Sequence, residues 1–488
     1  MIVLAAISRI LFLAVSVATV DCERYAATAE PGSVLVTFAS SADTRGFAWH
    51  TDTSVAESEV RILKGDHGRD DDASFEREGR LFRGSCRTVG NPKLNRHAVR
   101  VTGLASGAYS YRLGGTGHYA YGRFAVKPAG GPVTVVNLND AQTKDARKLC
   151  QWENAAACAA KTAGGADKVD FIVSGGDFCD GRFQNATNAI YGTFGIYLQW
   201  GIAADTATPY FPGVPWVMAS GNHDYRLYGD CTAVEYADGV PVGCHSFDYG
   251  SVHVATIPFV ANKWSRKHEA ILDWLASDLA SARAAGRTGW TVVNVHWGPY
   301  TTGDHGLLAS TSDLVRRFGP ICASNHVDLV LQAHDHTFSK TLPYRWSGAG
   351  YTADDGDNAA VNLVPRQEAG ADVDPEGTYY VSCGCAGHCV GENAKHAAPK
   401  GGKSYRNRAY KVVAGRLSVD SKYGRKGDPA SADLPRQMFG VLRIDGGLMT
   451  YSFYVAEPDG SATLYDELRV RKTETAFSQE KTKGRTKR

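Results

Sequence analysis

From residue 132 to residue 336 the chain repeats one pattern, a short unbroken apolar run that stops at a carboxylate, an amide or an imidazole. "VTVVNLND" ends at Asp140, with Gln142 just beyond; "DFIVSGGD" ends at Asp177, with Asp180 just beyond; "PWVMASGNHD" ends at Asn222, His223 and Asp224. "WTVVNVH" ends at His296 and "VDLVLQAHDH" at His334 and His336. Unbroken apolar runs of this length are strands buried on both faces of a layered α/β domain. The stretches between them read as helices: in "HEAILDWLASDLASARAAG", residues 268–286, Ile271, Trp274, Leu275 and Leu279 share one face and Gly286 is a stop. Ligands of open α/β sheets bind outside the carboxyl ends of the strands. One polar residue there is an ordinary cap; five in succession define a site.

The rest of the chain is organised around that block. Residues 24–127 are short alternating runs ("SVLVTFAS", "RGFAWHT", "EVRILKG", "HAVRVTGL", "AYSYRLGG", "YGRFAVK") broken by turn residues, the texture of a small β-sandwich. "KPAGGP", residues 127–132, reads as a linker into a second domain spanning 132–470. "MFGVLRIDGGLMTYSFYV", residues 438–455, reads as a hairpin about Asp445-Gly446-Gly447 that returns to the sheet. Residues 352–376 and 386–436, rich in Gly, Asp and Lys, read as loops. Residues 471–488, with seven basic and two acidic side chains, read as a disordered basic tail.

Targeting and partners follow from composition. "MIVLAAISRILFLAVSVATVDC" places Arg9 ahead of the apolar run Ile10 to Val20, so residues 1–21 read as a secretory signal peptide; a membrane span needs about 20 apolar residues. The mature chain is then expected to be secreted or to reside in a lysosomal or vesicular lumen, with no transmembrane anchor. With 53 basic and 51 acidic residues the net charge is +2, which gives no general attraction to nucleic acid or anionic membranes. Eleven cysteines suit disulfides in such a compartment, the local candidates being Cys150 with Cys158, Cys231 with Cys244, and two of Cys383, Cys385 and Cys389. "CGCAGHC" lacks the second half of a zinc knot. Asn185, in Asn185-Ala186-Thr187, is a glycosylation candidate.

Carboxylates, an amide and imidazoles are the mixed donors that suit iron, manganese or zinc. Two such ions about 3.5–4 Å apart, bridged by a carboxylate, clamp a phosphoryl group for transfer. Other chemistries are poorly supported: there is no G-x-S-x-G elbow. "GGKS" at 401–404 has Ala397 where a phosphate-binding loop needs Gly. Cys179 reads as packing.

The ordered set D-x-[HQG], G-D, G-N-H-[DE], an isolated His after a strand, and [GA]-H-x-H resembles the metallophosphoesterase (calcineurin-like phosphoesterase) superfamily. "HSFDYGSVHVATI", "ILDWLASDL" and "HAVRVTGLASGAYSYRL" resemble its purple acid phosphatase branch. The resemblance covers roughly residues 30–345, with a weaker return near 438–455. It implies an α/β fold class, with an N-terminal fibronectin III/Ig-like β-sandwich followed by a four-layer α/β-β/α metallophosphoesterase sandwich. It also implies two metal ions, iron with zinc or manganese or a divalent pair. Asp140, Asp177 and His336 would hold the first, and Asp177 would bridge to a second bound by Asn222, His296 and His334. His223 would act beside the substrate, and His305 matches the first of two substrate-side histidines whose second is Gly306 here. The implied activity is that of a metal-dependent phosphatase on small phosphate monoesters, attacked by a metal-bound hydroxide. Three positions depart from the pattern. Asp180 stands where purple phosphatases carry a ligand tyrosine, so no purple colour is expected; Asp180 is either a ligand or not. Gln142 replaces a ligand histidine and either coordinates or only hydrogen-bonds. Ala333 replaces a glycine. A phosphodiesterase or nucleotide hydrolase of the same fold, and a secreted binding protein that has lost turnover, are the alternatives.

Overall fold

The computed structural model describes residues 27–90, 93–128, 130–142, 146–180, 196–224, 227–258, 266–286, 289–300, 309–336, 338–345, 365–387, 410–414 and 437–473. The apolar runs form β1 (Val133–Asn137), β2 (Phe171–Ser174) and β3 (Trp216–Met218), which pair in parallel through Phe171↔Val135 and Ile172↔Trp216. A second sheet holds the hairpin β4 (His245–Tyr249) and β5 (Val252–Ile257), then β6 (Trp290–Trp297), β7 (Leu329–Ala333) and β8 (Tyr379–Cys383), with β5 through β8 parallel. The hairpin expected near the C-terminus is β9 (Met438–Asp445) and β10 (Leu448–Ala456), turned at Gly446-Gly447. β9 pairs antiparallel with β1, and β11 (Ala462–Arg471) follows on the far side of β10.

The layers follow from which faces are apolar. The helices α1 (Ala146–Ala163) and α2 (Ile196–Ala207) place Trp152, Ala155, Trp200 and Ala203 against Val136, Ile172 and Trp216 of the first sheet. On the second sheet, α3 (Arg266–Ala284) and α4 (Ala309–Ser324) place Ile271, Leu275 and Phe318 against Ala255, Val293 and Val330. Between the sheets Val135, Phe171 and Val217 meet Val254, Val292 and Leu331. The order is helix, sheet, sheet, helix. Strands so enclosed have no polar face to present, which is why their sequences do not alternate.

The N-terminal strands form two facing sheets around one core. Glu59–Lys64 and Gly107–Gly115 of a four-stranded sheet enclose Phe47, Trp49, Val60, Val99 and Leu113 against Arg45–Thr51 and Leu94–Val101. The second of these sheets does not close on itself. Its strand Gly32–Thr37 pairs in parallel with β3 at Thr37↔Trp216, so it continues the sheet of β1–β3 into twelve strands. Arg80–Arg83 and Ser85–Val89, unnoticed in the sequence, are additional strands whose side chains are largely exposed and polar.

Other expectations are corrected. The strand Tyr410–Ala414 lies within residues expected to be loop. Arg471 ends β11, the amine of Lys472 lies 2.9 Å from the Asp328 carboxylate, and the N–H of Thr473 donates to Asp374, so the tail is ordered through residue 473. Cys150 and Cys158 lie on one helix, about 12 Å apart along its axis by residue rise, beyond the reach of a disulfide with each other. Cys231 and Cys244 are free, buried in cores on opposite sides of the molecule's paired sheets. Cys383 is free as well, whereas Cys385 is disulfide-bonded. The signal segment, Asn185, His305 and residues 474–488 lie outside the described residues. No helix among the described residues is long and apolar enough to cross a membrane.

Candidate metal centre

The ligand-type residues stand where the strands of both sheets end. Asp177, His296 and His334 bring one donor atom each to within 4.8 Å of one another, all three residues buried. The Nε2 of His296 lies 3.4 Å from Asp177 Oδ2, 3.0 Å from Asn222 Oδ1 and 3.2 Å from His334 Nδ1. Its other nitrogen, Nδ1, is 2.9 Å from the carbonyl oxygen of Gly175, which accepts that N–H and aims Nε2 into the cluster. The ring of Trp297 stacks on His334 at 4.4 Å between centroids and holds it in plane. Asp140 and His336 form a neighbouring pair, 3.7 Å from carboxylate to Nε2.

The backbone delivering these groups is unusual. Asp140, Gln142, Asp177 and His334 have φ of 52°, 35°, 52° and 72°, in the left-handed region that only glycine occupies freely. Such conformations cost about 1–3 kcal/mol each and persist only where surrounding contacts impose them. Here the contacts are main-chain hydrogen bonds between loops: the N–H of Asp140 donates to Gly176 O, and that of Gln142 to Asp177 O. Gly221 leaves room for Asp177, since a Cβ at Gly221 would collide with Oδ1 and the backbone nitrogen of Asp177. Ala333, in place of a smaller residue, points its methyl at Gly175.

Electrostatics explain why the cluster suits a cation. Burial pushes the Asp177 carboxyl up, but His296, His223 and His334 outweigh it and hold it well below the usual carboxylate range. Burial pushes His296 down, yet Asp177 and Asp140 raise it to about 9, so the bare site keeps a proton between imidazole and carboxylate. A metal ion takes the place of that proton when it binds. Both carboxylate oxygens of Asp140 are buried and accept no hydrogen bond from the described residues. A buried ionised carboxylate without donors is costly unless a cation completes it. The oxygen and nitrogen donors present therefore fit iron, manganese or zinc.

Two residues left open by the sequence have defined partners. Gln142 donates its Nε2–H to Asp177 Oδ2 at 2.9 Å. Asp180 Oδ1 is 2.8 Å from His223 Nδ1, which fixes the ring, while His223 Nε2 lies 3.8 Å from Asp177 Oδ2 and its backbone N–H donates to Asp177 Oδ1. Asp224, at the same strand end, has no role assigned by sequence. Its carboxylate accepts the N–H of Phe178 and of Gly221, clamping the Asp177 loop, and burial together with the Asp177 charge pushes it up to about 7. Its place beside Asn222 and His223 was the one visible signal.

Residues 135–338 match the family model of the calcineurin-like phosphoesterases. The chain is 26% identical over 235 residues to purple acid phosphatase 17 of Arabidopsis thaliana, an overlap of 41% of this chain and 63% of that one. It is 26% identical over 233 residues to purple acid phosphatase 3 of the same plant, covering 41% and 58%. The chain thus spans about three fifths of the length of these curated relatives. Among solved structures, the purple acid phosphatase PPD1 from yellow lupin (Lupinus luteus) seeds superposes with a TM-score of 0.58 at 14% identity, over 92% of this chain and 76% of that one, a likeness of fold. The match over residues 135–338 and the two plant relatives support a metallophosphoesterase, purple acid phosphatase-like assignment for that part of the chain.

Proposed function

We propose that the chain is a secreted or lumenal metal-dependent phosphatase that hydrolyses small phosphate monoesters at a two-metal site. The observation that carries this reading is the convergence of Asp177, His296 and His334 beside an Asp140 carboxylate buried without hydrogen bonds. Asp140, Asp177 and His336 would hold one ion; Asp177, Asn222, His296 and His334 the other. When bound, the ions supply Lewis acidity at the phosphoryl oxygens and an activated water for in-line attack. The protein's own groups do the rest. Gln142 donates to the shared carboxylate and keeps Asp177 turned between the two ion positions. Asp180 holds His223 by Nδ1, leaving Nε2 to hydrogen-bond the phosphoryl group or protonate the leaving oxygen, which would otherwise depart as an alkoxide.

In this reading the N-terminal strands are a fibronectin III/Ig-like unit over residues 24–127 and the catalytic unit runs from 132 to 470. Residues 1–21 would be removed on secretion and Asn185 glycosylated. The test is elemental analysis of the purified protein together with turnover of p-nitrophenyl phosphate and of its bis ester from acidic to neutral pH. About two metals per chain and faster monoester than diester hydrolysis are expected. A folded chain with neither metal nor turnover would overturn the proposal.

A further inference from the structure

Three of the strand ends that carry ligand-type residues hang on one amide side chain. The Oδ1 of Asn139 accepts the backbone N–H of Gly175 at 2.7 Å, at the start of the loop that carries Asp177. Its Nδ2 donates to the carbonyl of Gln332 at 3.3 Å, two residues before His334 and across the gap between the two sheets. Its own backbone leads directly into Asp140, and its carbonyl accepts the N–H of Ala386 from the segment after β8. Asn137 Nδ2, itself tied to Tyr451 through Oδ1, donates to the same Asn139 Oδ1 at 2.9 Å and fixes the amide's orientation. Asn139 is almost wholly buried.

We propose that Asn139 is a positioning residue for metal binding, setting the separation of Asp140, Asp177 and His334; this rests on the two-metal reading above. Among the described residues, the Asn139 side chain is a direct noncovalent tie between the Asp140–Asp177 side and the His334 side. An amide suits the place because one end accepts an N–H while the other donates to a carbonyl; an ionised carboxylate has no donor, and a hydroxyl does both through a single atom and so does not span the two positions. Since the side chain links donors assigned to both ions, its loss weakens both together. Removing a single ligand such as His336 weakens chiefly one.

The experiment uses the full chain loaded with Zn²⁺, titrated with dipicolinate, with zinc retained per chain measured by elemental analysis and melting temperature recorded with and without metal. Asn139→Ala is expected to lose both zinc ions at chelator levels about 10- to 100-fold lower than wild type, the usual range for losing a group that orients ligands. The melting-temperature gap between zinc-loaded and metal-free forms should narrow. Asn95→Ala, which removes an equally buried amide from the N-terminal strands, should lower both melting temperatures and leave the gap unchanged. If Asn139→Ala does not fold, Asn139→Ser, which keeps a polar atom near Gly175, should show a smaller shift in the same direction. Wild-type zinc affinity in either variant, with wild type holding two ions, overturns the positioning role alone. A wild-type chain that takes up no zinc overturns the function proposed above and this inference with it.

Discussion

Replacing Asp180 by alanine separates two chemistries that its position allows. Asp180 Oδ1 lies 2.8 Å from His223 Nδ1, both side chains nearly enclosed. If this contact is its task, the substitution frees the ring of His223 to rotate and leaves every assigned metal ligand in place. A hydrogen bond to a charged group contributes about 1.5–3 kcal/mol. At about 1.4 kcal/mol per factor of ten, that is a loss of about 10- to 150-fold in kcat. His223→Ala, which removes the proposed proton donor itself, should cost about 100- to 10,000-fold. The two changes act through one group, so the double variant should be little worse than His223→Ala alone. The assay is steady-state hydrolysis of p-nitrophenyl phosphate, with metal content measured on the same samples. Loss of one metal ion in Asp180→Ala would refute this reasoning and make Asp180 a ligand. Additive losses in the double variant would show that Asp180 acts independently of His223.

Further outcomes follow from other parts of the structure. Asp177→Asn or His334→Ala should abolish turnover and metal retention while far-ultraviolet circular dichroism stays native, since the strands that carry them are held by apolar packing; full turnover with metal bound would sink the site assignment. Gly221→Ala should lower turnover by more than about 100-fold, because one misplaced group at a reacting centre carries such a penalty and the added Cβ collides with Asp177; unchanged kinetics would mean that the loop has slack. His253, buried between Asp248 at 2.7 Å and Asp278 of α3 at 2.9 Å, is pushed down by burial but raised by the two carboxylates to about 9. Its folded value lies above the unfolded one near 6.5, so the clamp is fully present below about pH 6.5 and lost as pH rises through about 9, a contribution of order 3 kcal/mol. Denaturant unfolding at pH 6 and pH 10 should therefore show wild type losing about that much stability relative to His253→Gln; a pH-independent difference would contradict it.

The ends of the buried strands were legible because burial and chemistry conflict there. A carboxylate or imidazole closing an apolar run has no packing reason to be present, so Asp140, Asp177, His296 and His334 were visible without coordinates. The helix over residues 266–284 and the hairpin at Gly446-Gly447 were legible through period and turn chemistry. What escaped has physical reasons. Arg80–Arg83 and Ser85–Val89 expose most of their side chains, so their sequences carry no apolar alternation. The joining of the N-terminal strands to the catalytic sheet rests on the main-chain pairing Thr37↔Trp216, which leaves no mark in side-chain type. Asn139 reaches the backbone of Gly175 and Gln332, and Asp224 that of Phe178, all distant in sequence, and proximity of that kind cannot be read from spacing.

The left-handed backbone at Asp140, Asp177 and His334 has an evolutionary consequence. Glycine tolerates those dihedrals without penalty, and replacing Asp140 also removes a buried carboxylate that the bare fold leaves without donors. Selection for stability alone therefore pushes the chain toward losing its metal ligands. A lineage released from the need for turnover could shed them and remain folded, keeping the paired sheets as a rigid platform for other contacts. On the two-metal reading proposed above, the stability of the fold alone gives no reason for carboxylates and an imidazole at these three positions.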